Sequence, residues 1–102
     1  MSLPAENSGT SIGGPLGVNL DTGGRTHIEI FATCTGAAKY SLWGSNDEYA
    51  WRLLNDPDVD PIMELTAAGK VHVGLSNAYR WVSVGTNNAF NNFIQIVASG
   101  AP

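Results

Sequence analysis

Apolar and polar residues alternate one by one along much of this chain. Between residues 26 and 34, Ile28, Ile30 and Ala32 share one side of an extended segment, and His27, Glu29 and Thr33 share the other. Successive side chains of a strand point to opposite faces, so this period predicts a half-buried β-strand. The same period returns at 70–74, where Val71 and Val73 oppose Lys70 and His72. At 79–84, Arg80, Val82 and Val84 oppose Tyr79, Trp81 and Ser83, a pattern that covers both faces. The other candidate strands are 16–20, 39–43, 49–54, 62–66 and 93–98. Turn-like clusters separate them, at 21–24, 35–38, 67–69 and 85–88. No stretch sustains a helical period. Short strands at this spacing predict an all-β fold, a single antiparallel β-sandwich of about eight strands, jelly-roll-like in its connections.

The segment 40–54 is the most distinctive. Two aromatic, strand-prone runs, Tyr40-Ser41-Leu42-Trp43 and Tyr49-Ala50-Trp51-Arg52-Leu53-Leu54, flank Gly44-Ser45-Asn46-Asp47. Ser, Asn and Asp side chains hydrogen-bond a turning backbone and Gly frees its angles, so a turn is expected there. Residues 55–61 are the longest irregular piece, since Pro57 and Pro61 cannot donate to a strand ladder. Residues 1–14, rich in Ser, Gly, Asn and Pro, are expected as an extended N-terminal arm, with 15–102 as the sandwich domain.

Composition narrows the function classes. Of the 102 residues, 43% are apolar and only 14% charged, which suits a surface that packs against neighbours in an assembly. The five basic residues are scattered, and the net charge is −4. Nucleic-acid binding, which needs a basic patch, is not expected. No apolar run approaches the length that spans a bilayer, and no signal-peptide pattern is seen, so neither a membrane partner nor export by its own signal is expected. Cys34 is the sole cysteine, which excludes an intrachain disulfide and marks a small buried residue.

Several segments together resemble the discoidin-like, galactose-binding-type jelly rolls found in virion proteins. They are Ile28-Glu29-Ile30-Phe31, the run from Tyr40 to Asp47, Trp51-Arg52-Leu53-Leu54, Ala78-Tyr79-Arg80-Trp81-Val82-Ser83-Val84, and the last strand from Phe93 to Ala98. The resemblance covers most of 26–98. It implies a non-enzymatic virion structural protein, a capsid-decoration, head or tail component located in the virion and assembled in the host cytoplasm. Its implied partners are a capsid or tail protein and copies of itself, a trimer among the options. The alternative is a carbohydrate-binding or adhesion module with a glycan as ligand.

Little in the sequence points to catalysis. His27 and His72 lie on polar strand sides, far short of a zinc ligand set. No nucleophile motif marks a serine. No catalytic residue, cofactor or resident metal is therefore expected. One weaker option is a calcium ion at Asp56, Asp58 and Asp60, whose alternate carboxylates resemble the opening of a calcium loop. Pro61 and Ala67 stand where an EF-hand needs Gly and Glu, which excludes that motif. Aromatic residues carry the remaining interest. Trp51 and Trp81 are expected in the core, while Trp43, opposite Tyr40 and Leu42, is the best exposed anchor. With Leu3, Ile12, Tyr49 and Phe90 it forms the expected interface set.

Overall fold

The computed structural model describes residues 5–11, 14–56, 58–86 and 92–100. Nine strands occur among them: β1 (Ala5–Ser11), β2 (Gly14–Asp21), β3 (His27–Cys34), β4 (Ala38–Ser45), β5 (Arg52–Leu53), β6 (Met63–Leu65), β7 (Gly69–Ser76), β8 (Trp81–Thr86) and β9 (Asn92–Ser99). The first sheet has the order β1-β9-β3-β7, and the second β2-β8-β4-β5 with β6 also on β4. All pairings are antiparallel. Apart from the run β4 to β6, successive strands alternate between the sheets, which is the jelly-roll manner of connection.

The alternation read from the sequence builds the core. Ile28, Ile30 and Ala32 of β3 stand opposite Ala98, Ile96 and Ile94 of β9 in register. Facing them are Val18 and Leu20 of β2, Ala38, Tyr40 and Leu42 of β4, Met63 of β6, and Val82 and Val84 of β8. Each aliphatic side chain removed from water contributes about 1.5–3 kcal/mol before chain entropy is set against it. Cys34 is a free thiol buried in this cluster.

One polar pair crosses the core. The Tyr40 hydroxyl on β4 donates to Oδ1 of Asn92 on β9, joining the two sheets. Burial, with a smaller push from Cys34, raises the Tyr40 phenol to about 12.

Within the segment expected as an arm, Ala5–Ser11 is a strand of the first sheet. This segment is β1, paired with β9 from Ala5↔Ala98 to Ser11↔Asn92. Its sequence, AENSGTS, carries no apolar alternation, so the hydrophobic pattern is blind to it. Backbone hydrogen bonding to the open side of β9 recruits it instead. Asn7 Nδ2 then donates to the Asn19 carbonyl on β2 at 2.6 Å, tying the edges of the two sheets together.

Just past the end of β2, Thr22 and Asn77 lock the turn after that strand to the connection before β8. Thr22 is fully buried, and its hydroxyl donates at 2.9 Å to the carbonyls of Tyr79 and Arg80. Asn77 Nδ2 reaches the carbonyls of Arg25 and Tyr79 at 2.8 Å, while its Oδ1 accepts the Tyr79 amide at 3.1 Å.

Candidate functional site

Residues directly opposite on antiparallel strands project to the same face. Tyr40, Leu42, Val82 and Val84 occupy the inner face of the second sheet, so the positions between them point outward. Trp43 is opposite Ser83 of β8 on one side and Leu53 of β5 on the other. Trp81 is opposite Ser45 of β4 and Asp21 of β2. Trp43 and Trp81 are therefore diagonal neighbours on adjacent strands, a spacing of about 7–8 Å that large rings can bridge. Both are half-buried.

Between and beside the indoles lie small residues. Ser41, Ser45 and Ser83 lie at the outward positions of β4 and β8 and are buried. The Ser83 hydroxyl accepts the Gly17 amide at 3.2 Å. The Trp43 Nε1–H is buried and has no hydrogen-bond partner among the described residues. Beside Trp81, Arg80 donates to both carboxylate oxygens of Asp21, at 2.9 and 3.1 Å. These bonds, followed by the Gly23 amide, hold the Asp21 carboxyl below its ordinary value.

The turn following β4 is built as its residue types suggest. Ser45 Oγ accepts the amides of Asp47 at 3.3 Å and Glu48 at 3.0 Å, and donates to Asp47 Oδ1 at 3.0 Å. Asp47 Oδ1 also accepts the amides of Ala50 and Tyr49 at 2.9 Å. Those two backbone bonds, then Ser45, lower the Asp47 carboxyl. Glu48 takes a left-handed φ of 69°, and its carbonyl accepts the Trp51 indole N–H at 3.0 Å. This hydrogen-bonded frame leaves the Tyr49 side chain 90% exposed. It also limits the expected strand 49–54 to Arg52–Leu53, since the preceding amides serve the turn.

The sequence-based site residues fall into three groups. Trp43 and Tyr49 lie on the outer face of the second sheet and on the turn at its end. Leu3, Ile12 and Phe90 lie outside the described residues. Trp51 and Trp81, expected in the core, are both half-buried and absent from it. For Trp81 the reason is strand parity: Val82 and Val84 take the inner positions of β8.

The acidic loop at Asp56, Asp58 and Asp60, the weaker option for a calcium ion, is held by its own backbone. Asp56 Oδ1 accepts the Asp58 amide at 2.9 Å, and the Asp56 carbonyl accepts the amides of Asp60 at 2.7 Å and Val59 at 3.2 Å. Asp56, Asp58 and Asp60 are exposed, and no group of three His, Cys, Asp or Glu residues is placed to hold a metal among the described residues. Alternate carboxylates converge only if the backbone curls around a centre, and here the curl is closed by its own amides.

A second aromatic surface escaped the sequence reading. On the outer face of the first sheet, Phe31 is 39% and Phe93 50% exposed. The His72 ring stacks on Phe31, with centroids 4.4 Å apart, and its Nε2 is 3.3 Å from Glu29 Oε1. A shallow cleft of about 190 Å³ runs among Phe31, Thr33, Lys70, Phe93 and Gln95. Strand parity was the available signal, because Phe31 has the phase of His27, Glu29 and Thr33, not that of the isoleucines.

No protein-family model matches the chain, and no curated protein matches it. Among solved structures the chain is similar to the CBM22-1 and GH10 modules of the Clostridium thermocellum N-terminal endo-1,4-beta-D-xylanase 10B, complexed with xylohexaose. Identity is 11% and the TM-score 0.44, over 84% of this chain and 20% of that one. The chain thus spans about a fifth of that protein's length. The sandwich assignment rests on the strand pairing itself.

Proposed function

We propose that this chain is a non-enzymatic virion structural protein, a capsid-decoration, head or tail component that acts through protein–protein contacts in an assembly. The observation that carries the reading is the outer face of the second sheet. Trp43, Trp81 and Leu53 are neighbours there, and the exposed Tyr49 stands on a rigid turn at its end. Tyr and Trp on a preorganised surface are the side chains that dominate interface energies, since each buries a large area while losing few rotamers. The low charge suits repeated close contacts, and many weak contacts on a particle add by multivalency. The partner is a capsid or tail protein.

The test is co-sedimentation with particles of the virus that encodes this chain, assembled without it. The wild-type chain is expected to join the particles, and the variants Trp43→Ala and Tyr49→Ala to be lost from them. Binding that is indifferent to both substitutions would overturn the role given to this face.

One observation favours a second reading, a carbohydrate-binding or adhesion module. The half-exposed indole of Trp43 and the exposed ring of Tyr49 offer aromatic faces of the kind on which sugar rings stack. A glycan array separates the two. Specific binding abolished by Trp43→Ala favours the module, and a blank array favours the assembly protein.

A further inference from the structure

The edge strands of the two sheets are treated unequally. An edge presents unpaired N–H and C=O groups, and proteins blunt it by shortening, bending or covering the strand. β1 and β2 lie against one another, where Asn7 Nδ2 donates to the Asn19 carbonyl at 2.6 Å, and β2 has a register shift between Gly14 and Val18. β5 and β6 are only two and three residues long. β7 has none of these devices. Its eight residues pair with β3 without a break from His27↔Ser76 to Cys34↔Gly69. No strand among the described residues pairs with its other side.

The core is also left open along this edge. Val71, Val73 and Leu75 stand opposite the buried Ala32, Ile30 and Ile28 of β3, so they point inward, yet they are only half-buried. Leu54, Ile62 and Leu65 at the facing edge of the second sheet are half-buried too. The two edges meet at Gly69, where a Cβ would lie 3.7 Å from Leu65 Cδ2. On the β1–β2 side, by contrast, Val18 and Leu20 are buried. Beside the open seam runs the loop from Leu54 to Ile62, whose end amides bond the carbonyls of Leu42 and Tyr40 at 2.8 and 3.1 Å. Its Asp56, Asp58 and Asp60 are exposed.

We propose that this edge docks an extended, basic segment of another protein, which pairs antiparallel with β7 and sets alternate apolar side chains into the seam. Each part of that description answers one feature of the edge. The unpaired backbone of β7 takes a strand, because main-chain hydrogen bonds are what it offers. The half-buried row at every second residue takes apolar side chains of the same period. The carboxylates beside the seam take a Lys or Arg, whose stem packs on the apolar residues while its charged end reaches the loop. A second copy is the wrong occupant. Pairing β7 with β7 would bring two acidic loops together, and like charges oppose association.

Peptide titration, followed by calorimetry and by the amide resonances of β7, tests the proposal. The probe matches the eight residues of β7, with Thr at every second position and Val, Val, Val and Lys at the others. It is expected to bind with a dissociation constant below about 1 mM and to protect β7 amides from exchange. The same residues reordered with all four Thr at one end should not bind. Glu in place of the Lys should weaken binding about tenfold, since it turns an exposed attraction into a repulsion. Asp56→Asn/Asp60→Asn should erase that difference. Val73→Lys should abolish binding with circular dichroism unchanged, because it puts a charge into the seam at a half-buried position. Absence of binding, equal binding of the reordered or the Glu peptide, or perturbed amides away from β7 would each overturn the proposal. So would a chain that dimerises in sedimentation velocity with its β7 amides newly protected. The peptide comparisons use the unaltered chain and decide the matter whatever the variants do. The inference does not rest on the Trp43 and Tyr49 surface, so its failure leaves the particle assay unaffected.

Discussion

The ring of Tyr79 lies directly on the backbone of Gly44. A Cβ at position 44 would come within 2.5 Å of the ring Cγ and 2.6 Å of Cδ2, closer than side-chain atoms approach. Tyr79 packs against the core from the β7–β8 connection, and the bare backbone of β4 gives its ring a seat. Gly44 reads in the sequence as part of a turn, but it belongs to the strand. Its purpose is close approach, not an unusual backbone angle.

Gly44→Ala should therefore destabilise the domain by about 1–3 kcal/mol, the usual cost of overpacking. Chemical denaturation measures it. Combining the change with Tyr79→Leu should cost less than the sum of the two single changes, because the smaller side chain vacates the space. Strict additivity would show that the two residues do not compete for one volume.

Tyr40→Phe removes a side-chain link across the core, the donation to Asn92 Oδ1. The expected loss is about 1–2 kcal/mol at neutral pH, as for a buried hydrogen bond whose acceptor stays in place. The pH dependence has a definite sign. The folded phenol is raised from 10.0 to about 12, so the stabilisation is complete below 10.0 and is lost as pH rises towards 12. Denaturation curves in that alkaline window should slope downward for the wild type and less steeply for Tyr40→Phe.

Acid stability should depend on Asp21 and Asp47. Both carboxyls are held below their ordinary value of 3.8 in the folded chain. A lowered folded value means that their contribution is present above 3.8 and disappears as pH falls through the folded value. Asp21→Asn and Asp47→Asn should each flatten the acid limb of a plot of melting temperature against pH. Asp47 should also govern the turn: hydrogen exchange at the amides of Tyr49 and Ala50 is expected to quicken in Asp47→Ala.

Asn77→Ala should be among the most damaging polar substitutions. It removes bonds to the carbonyls of Arg25 and Tyr79 and to the Tyr79 amide, all in a half-buried corner. A cost of about 2–3 kcal/mol is expected, since backbone groups lose a partner without gaining water. Thermal melting checks this, and Asn77→Asp should recover only the part supplied by Oδ1.

How much of this was legible beforehand follows from the range of each interaction. The core positions on β3, β8 and β9 could be read because burial of one strand face imposes a period of two on the residues themselves. The turn at Ser45 and Asp47 could be read because those side chains bond amides only two or three residues away. Beyond that local range the residues carry no such mark. β1 is held by backbone bonds to a strand near the other end of the chain, so its polar side chains do not announce it. Trp43 and Trp81 have no sequence relation; they become neighbours through the pairing of Trp43 with Ser83 and of Ser45 with Trp81. Phe31 and Phe93 meet only because Thr33 pairs with Phe93. The sequence alone thus determined an antiparallel sandwich, its inner faces and its tightest turn, all governed by local periodicity and short-range hydrogen bonds. Tertiary structure decided which outward aromatics stand side by side, because that depends on the register between strands distant in the chain.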